Sequence, residues 1–236
     1  MQLDTLLIVI VISAIQSIFG VGVLLFGTPL LLLLGYNFHY TLYILLPISI
    51  AINSLQILKH FHYIDLLFYK NVLLSTIPFV VTFLIIGLTA KINISLFVGL
   101  FLVFIALKDF SEKFSLILKF TSRHQRIYLV IMGIVHGLTN LGGSLLTAIV
   151  HEKQYPKNKT RSTIAVCYMT FAIFQIITLS FLVSEFDVSF TDSIAFMFIG
   201  MIAFLFTEKY IYSKIDSKRY SKNFSIFLFV SGLLLI

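Results

Sequence analysis

The stretch QSIFGVGVLLFGTPL (residues 16–30) lies within the first long apolar run of the chain, yet it holds three glycines and ends in Gly-Thr-Pro. A glycine costs roughly 1 kcal/mol relative to alanine inside a helix, and a proline roughly 3. A run that only crosses lipid gains nothing from either, so the stretch reads as a functional break. The apolar run around it, residues 3–35, is also far longer than the about 20 residues one span requires. That surplus fits a chain that enters the bilayer, breaks, and returns.

The rest of the chain sets the environment. Hydrophobic residues make up 59% of it and charged residues 11%, with a mean hydropathy of +1.02. Its apolar runs repeatedly pass the length that marks a spanning helix. Lipid cannot hydrogen-bond a free backbone, and these runs lack the alternation and short turns of a barrel. The fold class is therefore an all-α integral membrane protein, multi-pass, with no soluble domain of useful size. A net charge of +7 would suit nucleic acid, but the Lys and Arg residues sit in short loops, where they orient the chain in a bilayer. Membrane lipid, not nucleic acid, is the expected partner. Cys167 is the only cysteine, so an intrachain disulfide and a cysteine metal cluster are excluded. The N-terminal MQLDTLL lacks the basic flank of a cleavable signal peptide, so the first segment is expected to remain in the mature protein.

Apolar segments fall at residues 3–35, 40–58, 72–90, 92–107, 127–150, 162–183, 188–206 and 224–236. Residues 108–126 form a basic linker with interspersed Phe, Leu and Ile that suits the membrane interface. It separates repeat one (1–107) from repeat two (127–236). Shifting the second half back by 120 positions lays Asn140-Leu141-Gly142 on Gly20-Val21-Gly22 and His136 on Gln16. Repeats with interrupted segments in corresponding places point to the substrate site of a secondary transporter.

Charge then separates two topologies. If all eight segments cross, seven of the Lys and Arg residues lie on one side and ten on the other. If the first and fifth segments turn back, loops 59–70, 108–126, 151–161 and 208–222 share a face holding sixteen of the seventeen, and only Lys91 lies opposite. The second count is a strong positive-inside signal. The expectation is six crossings plus two re-entrant hairpins entering from opposite faces, in two inverted repeats, with both termini outside.

A half-helix that starts inside the bilayer presents backbone amides without helical partners, and these attract anions. The polar residues about the two breaks suit such a site. Candidate substrate-binding residues are Gln16, Ser17, Gly20, Gly22 and Asn53 in the first half, and His136, Thr139, Asn140, Gly142, Gly143 and Ser144 in the second. Ser13 precedes the first break, and the next apolar runs add Ser49 and Gln56 in the first half and Thr170 and Gln175 in the second. Two structural alternatives stand beside this: small-xxx-small helix packing for the glycines, and hydroxyls bonded one turn back for about half of the Ser and Thr.

Gly20-x-Gly22 followed by Pro29-Leu30, and Gly133-x-x-x-Gly137 leading into Asn140-Leu141-Gly142-Gly143-Ser144, give a chain that resembles the TauE/SafE sulfite and organosulfonate exporters, the toluene-sulfonate uptake permease family. The resemblance covers nearly the whole chain. Val23 and Leu24 stand where that family tends to have glycine, Asn140 replaces the glycine that would match Gly20, and Ile149 replaces a second proline. The resemblance implies transport of small anions, such as sulfite, organosulfonates or carboxylates, across the cytoplasmic membrane of a prokaryote, with the two hairpins forming the site.

All ten acidic residues fall at segment ends or in loops, so none is placed for a midplane proton relay. His136 is the one ionisable group inside a hairpin, either a proton switch or a histidine bonded to backbone. An enzyme is not expected: His60, His62 and Asp65 lie at a helix end beside lysines, and Tyr155 occupies the position where a zinc-protease motif starting at His151-Glu152 needs its second histidine. No cofactor and no metal are implied. A passive anion channel or a structural membrane subunit are the other readings, and a homo-oligomer is compatible with each.

Overall fold

The computed structural model describes residues 2–90, 92–110, 124–183, 188–210 and 233–236, and among them every regular element is helical. The first apolar run is two helices, α1 (Leu3–Phe19) and α2 (Val23–Leu33). Gly20 ends α1 at φ +77°, with its amide bonded to the Gln16 carbonyl. That left-handed conformation disfavours a Cβ, so glycine lets the chain turn here. The turn carries Gly22 so close to α1 that a Cβ on it would lie 2.8 Å from the Gln16 nitrogen and 3.1 Å from the Ile12 carbonyl oxygen. α2 then runs back along α1, with Gly27 against Ile12. Beyond its end, Tyr36 donates to Asp4 Oδ2 at 2.8 Å and also bonds Gln2. The break in residues 16–30 is a helical hairpin whose two ends meet.

Residues after the linker repeat this construction in α7 (Gln125–Thr139) and α8 (Gly143–Glu152). Asn140 takes the place of Gly20 at φ +62°, and its amide bonds the His136 carbonyl at 2.8 Å, as that of Gly20 bonds Gln16. Asparagine is one of the few residues with a Cβ that visits this region readily. A Cβ on Gly142 would lie 2.5 Å from His136 Cβ and 2.7 Å from the Met132 carbonyl oxygen. The contacts Gly22–Gln16–Ile12 and Gly142–His136–Met132 are therefore the same contacts moved by the 120 positions read from the sequence. Tyr128 Oη closes the second hairpin by donating to the Leu145 carbonyl at 2.7 Å.

Between and after the hairpins come α3 (Phe38–His60), α4 (Leu66–Ser75), α5 (Ile77–Thr89), α6 (Ile94–Phe110), α9 (Lys157–Leu182) and α10 (Phe190–Tyr210). Among the described residues, four stretches are long and apolar enough to cross a membrane: Phe38–Tyr63, Leu66–Thr89, Lys157–Leu182 and Phe190–Tyr210. The second of these is α4 and α5 bent at Thr76, just before Pro78 opens the first turn of α5 and withdraws a helical donor. α6 lies at the expected crossing 92–107, and Ile94–Ala106 within it is apolar. The expected segment 224–236 lies outside the described residues except for 233–236, and most of the 108–126 linker lies outside them as well.

α3 and α9 pack at the centre, with Leu42, Ile44, Ile48, Ala165, Phe171 and Ala172 buried. Pro47 lies inside α3 and cannot bond the Tyr43 carbonyl four residues back. Ser193 of α10 donates to that oxygen at 3.0 Å, so the proline gap becomes an interhelical bond. α7 lies against the α4–α5 bend: a Cβ on Gly133 would meet the Thr76 carbonyl at 2.6 Å, and one on Gly137 the Val80 carbonyl at 2.6 Å. For this glycine pair the helix-packing alternative holds, since only a residue without a side chain lets the two backbones approach so closely.

The charged ends gather at one end of the bundle. Glu208 pairs with Lys59 and with Arg161, and Asp65 accepts from Tyr155. Lys59, Asp65, Tyr155, Arg161 and Glu208 thus share an end. The start of α1, the loop after α2 and the starts of α3 and α10 meet at the other, through Tyr36–Asp4 and Ser193–Tyr43. The open end of the first hairpin lies at this end, and Lys153, which follows the second hairpin, lies over the Phe68 ring at the other.

Candidate functional site

Each hairpin turn rests against the helix that follows it. At the first, Gln16 Oε1 accepts from the Val23 amide at 2.8 Å, and Gln16 Nε2 donates to Asn53 Oδ1 at 3.2 Å. This corrects one expectation: the first amide of α2 is not vacant, because the Gln16 side chain folds over the turn and caps it. Asn53 Nδ2 donates in turn to the Ser49 carbonyl at 2.7 Å and Ser49 Oγ at 3.1 Å. Oriented to satisfy its neighbours, the Gln56 amide donates to Asn53 Oδ1 at 3.0 Å and accepts from Arg161 Nε and Nη2 at 3.2 Å each. A polar chain therefore runs from the N-terminus of α2 through Gln16, Asn53 and Gln56 to a guanidinium. Ser17 takes no side-chain part in it; its hydroxyl donates to the Ala14 carbonyl at 2.7 Å. Gly20 lies beside Arg161, whose Cγ would be 3.5 Å from a Cβ at that position.

At the second turn, His136 Nε2 and Gln175 Oε1 are 3.1 Å apart, and Asn140 Nδ2 donates to Thr28 Oγ1 of α2 at 3.0 Å. The hydroxyls here are used locally. Thr139 Oγ1 donates to the Val135 carbonyl at 2.7 Å and accepts from the Leu141 amide at 3.2 Å, and Ser144 Oγ donates to the Leu141 carbonyl at 3.0 Å. Gly143 lies against the Tyr168 phenol, which occupies the place a Cβ would need. Gly142 has no room for a side chain, for the reason already given. Thr170 belongs to neither turn, since it pairs with Tyr69 at 2.9 Å and the Val166 carbonyl at 2.8 Å.

What distinguishes the second turn is what its side chains leave unused. His136, Asn140 and Gln175 are fully buried and Tyr168 almost so. Yet His136 Nδ1, Asn140 Oδ1, Gln175 Nε2 and Tyr168 Oη have no hydrogen-bond partner. An orphaned buried polar atom costs about 1–3 kcal/mol, so four around one turn fit a place built to hold something polar. Gln175 Nε2 and Tyr168 Oη are donors, and His136 Nδ1 becomes one when the ring is protonated.

Arg161, Tyr168 and Gln175 of α9 are spaced by seven residues, two helical turns, and so lie on one stripe with steps of about 10.5 Å. The stripe touches the first turn at Arg161 and the second at Tyr168 and Gln175. Of the sequence candidates, Gln16, Asn53 and Gly20 are brought together at the first turn, and His136, Asn140, Gly142 and Gly143 at the second. The side chains of Ser17, Thr139 and Ser144 stabilise backbone. Sequence reasoning missed Arg161 and Glu208 by counting them with loop charges, and missed Tyr168. The heptad spacing along α9 was a signal for Arg161 and Tyr168.

A family model described as Sulfite exporter TauE/SafE matches residues 5–235. No curated protein and no solved structure gives a match.

Proposed function

Because the chain belongs to the TauE/SafE sulfite exporter family of membrane transporters, we propose that it is a secondary transporter that moves small anions such as sulfite, organosulfonates or small carboxylates out of a prokaryotic cell. The carrying observation is the set of four unpartnered polar atoms around the Asn140–Gly142 turn. An oxyanion there accepts from Gln175 Nε2 and Tyr168 Oη, and from His136 Nδ1 once that ring holds a proton. Neutral donors bind an anion without trapping it, which a carrier requires. The start of α8 adds the positive end of its dipole.

In this reading the two halves are inverted repeats, each a re-entrant hairpin with its following helices, and they rock about the turns to give alternating access. Support comes from the matching contacts at positions 120 apart, and from the open end of the first hairpin and Lys153 after the second lying at opposite ends of the bundle. The basic end faces the cytoplasm by the positive-inside rule.

Proteoliposomes loaded with labelled sulfite, methanesulfonate or acetate test the proposal, with and without an imposed pH gradient. Accumulation of one anion against its own gradient is the expected result. Dissipation alone identifies a passive channel, and no flux of any of the three contradicts the assignment.

A further inference from the structure

The Arg161 side chain is only 14% exposed although it lies within a turn of the start of α9. It reaches inward to the first hairpin turn, where Nη2 points at the Ser17 carbonyl at 3.4 Å and the guanidinium edge faces Gln56. It also pairs with Glu208, with Nη2 to Oε1 at 2.8 Å, and Glu208 is itself only 13% exposed. Glu208 has a second cation, Lys59, whose Nζ is 2.5 Å from Oε2. Lys59 is 51% exposed and so better hydrated. The three side chains together carry one net positive charge.

This arrangement differs from a simple structural ion pair in two ways. In a simple pair the carboxylate serves one cation, whereas here Glu208 is shared between the buried Arg161 and the half-exposed Lys59. Glu208 can also leave Arg161 and remain paired with Lys59, so exchange strands no carboxylate. Breaking a buried pair is costly mainly because it leaves an uncompensated charge, and this geometry avoids that.

We infer that Arg161 is an anion-binding residue at the basic end of the transport path, and that the Glu208 carboxylate holds its place until a substrate oxyanion displaces it. The guanidinium fork fits two oxygens of a carboxylate, sulfite or sulfonate alike, in the paired geometry that makes arginine the usual receptor for such groups. Glu208 is thus an internal competitor. A substrate on Arg161 lies two turns of α9 from Tyr168 and four from Gln175, so the stripe leads it toward the second turn. The inference rests on the transport reading and adds to it a named receptor and a named competitor.

Calorimetric titration of the purified full-length chain in detergent, with sodium methanesulfonate, sulfite and acetate as probes, tests this. Removing the competitor in Glu208→Gln is expected to tighten binding about tenfold, and removing the receptor in Arg161→Gln to weaken it at least about tenfold. Arg161→Lys keeps the charge without the fork and falls between wild type and Arg161→Gln. Glu208→Asp shifts affinity in the same direction as Glu208→Gln but less. These two milder variants carry the test if a glutamine variant loses its size-exclusion elution position. A merely structural pair predicts that breaking it from either side shifts affinity in the same direction, and that result overturns the inference while leaving the transport reading intact. Absence of wild-type binding for all three probes, together with absence of flux in liposomes, overturns the transport reading and this inference with it.

Discussion

Gly142→Ala separates local propensity from tertiary structure, because the two predict opposite signs. Gly142 has φ −57° and ψ −14°, an ordinary helical conformation. By conformation alone, alanine there stabilises a protein by about 0.4–1 kcal/mol, since it narrows the unfolded ensemble. The hairpin says otherwise. The new methyl would stand 2.5 Å from His136 Cβ, 2.7 Å from the Met132 carbonyl oxygen and 3.0 Å from His136 Cα. Backbone atoms and a Cβ cannot swing aside, so α8 must move off α7, at a typical overpacking cost of about 1–3 kcal/mol. Gly22→Ala meets Gln16 and Ile12 in the same way, 120 positions earlier, and is expected to lose a similar amount. The assay is thermal unfolding in detergent read by a thiol-reactive dye. Cys167 is the only cysteine and is buried, so its exposure reports unfolding directly. Both variants should melt below wild type. A Gly142→Ala protein that melts higher would refute the close hairpin packing.

Other outcomes follow from single contacts. Gln16→Leu strands the Val23 amide and takes a partner from Asn53, and is expected to cost about 1–3 kcal/mol in the same melting assay. His136→Gln is expected to flatten the pH dependence of efflux from liposomes, and unchanged pH dependence removes His136 from the transport step. At the basic end, burial pushes the Asp65 carboxyl up, but the Tyr155 hydroxyl, the Phe68 amide, Lys153 and Lys159 outweigh it and hold the group below its ordinary value of 3.8. Its share of stability is therefore present above that value and lost as pH falls through the folded one. Burial first, and then Asp65, push Tyr155 up to about 12 from an ordinary 10.0, so its share is present below 10.0 and lost as pH rises toward about 12. Tyr155→Phe should erase the alkaline loss and shrink the acid loss, because the Asp65 carboxyl no longer has the hydroxyl that lowers it, as measured by melting temperature against pH.

The hairpins were legible because glycine and asparagine mark the two places where the backbone must turn left-handed or approach within contact of its neighbour. The 120-residue offset was legible because the same backbone problem is solved twice. Charge counting grouped the loops holding Lys59 and Arg161, and these two side chains meet on Glu208. It failed at Arg161 and Glu208 because a count cannot tell a solvated loop charge from one folded back between helices. The glycines at 133 and 137 look in sequence like those at 20 and 22, and only the position of α5 shows that they serve helix packing. Pro78 marked the bend between α4 and α5, but apolar composition ran on through it and read as one span.

The most direct test of the account is the sidedness of the first hairpin. In a Cys167→Ser background, single cysteines at Gln2, Asn37 and Gln154 are labelled in intact cells with a membrane-impermeant maleimide. The account predicts labelling at positions 2 and 37 from the outside and none at 154 until the cells are opened. Labelling of position 2 with protection of position 37 would mean that residues 3–35 cross the bilayer completely, and would contradict the account.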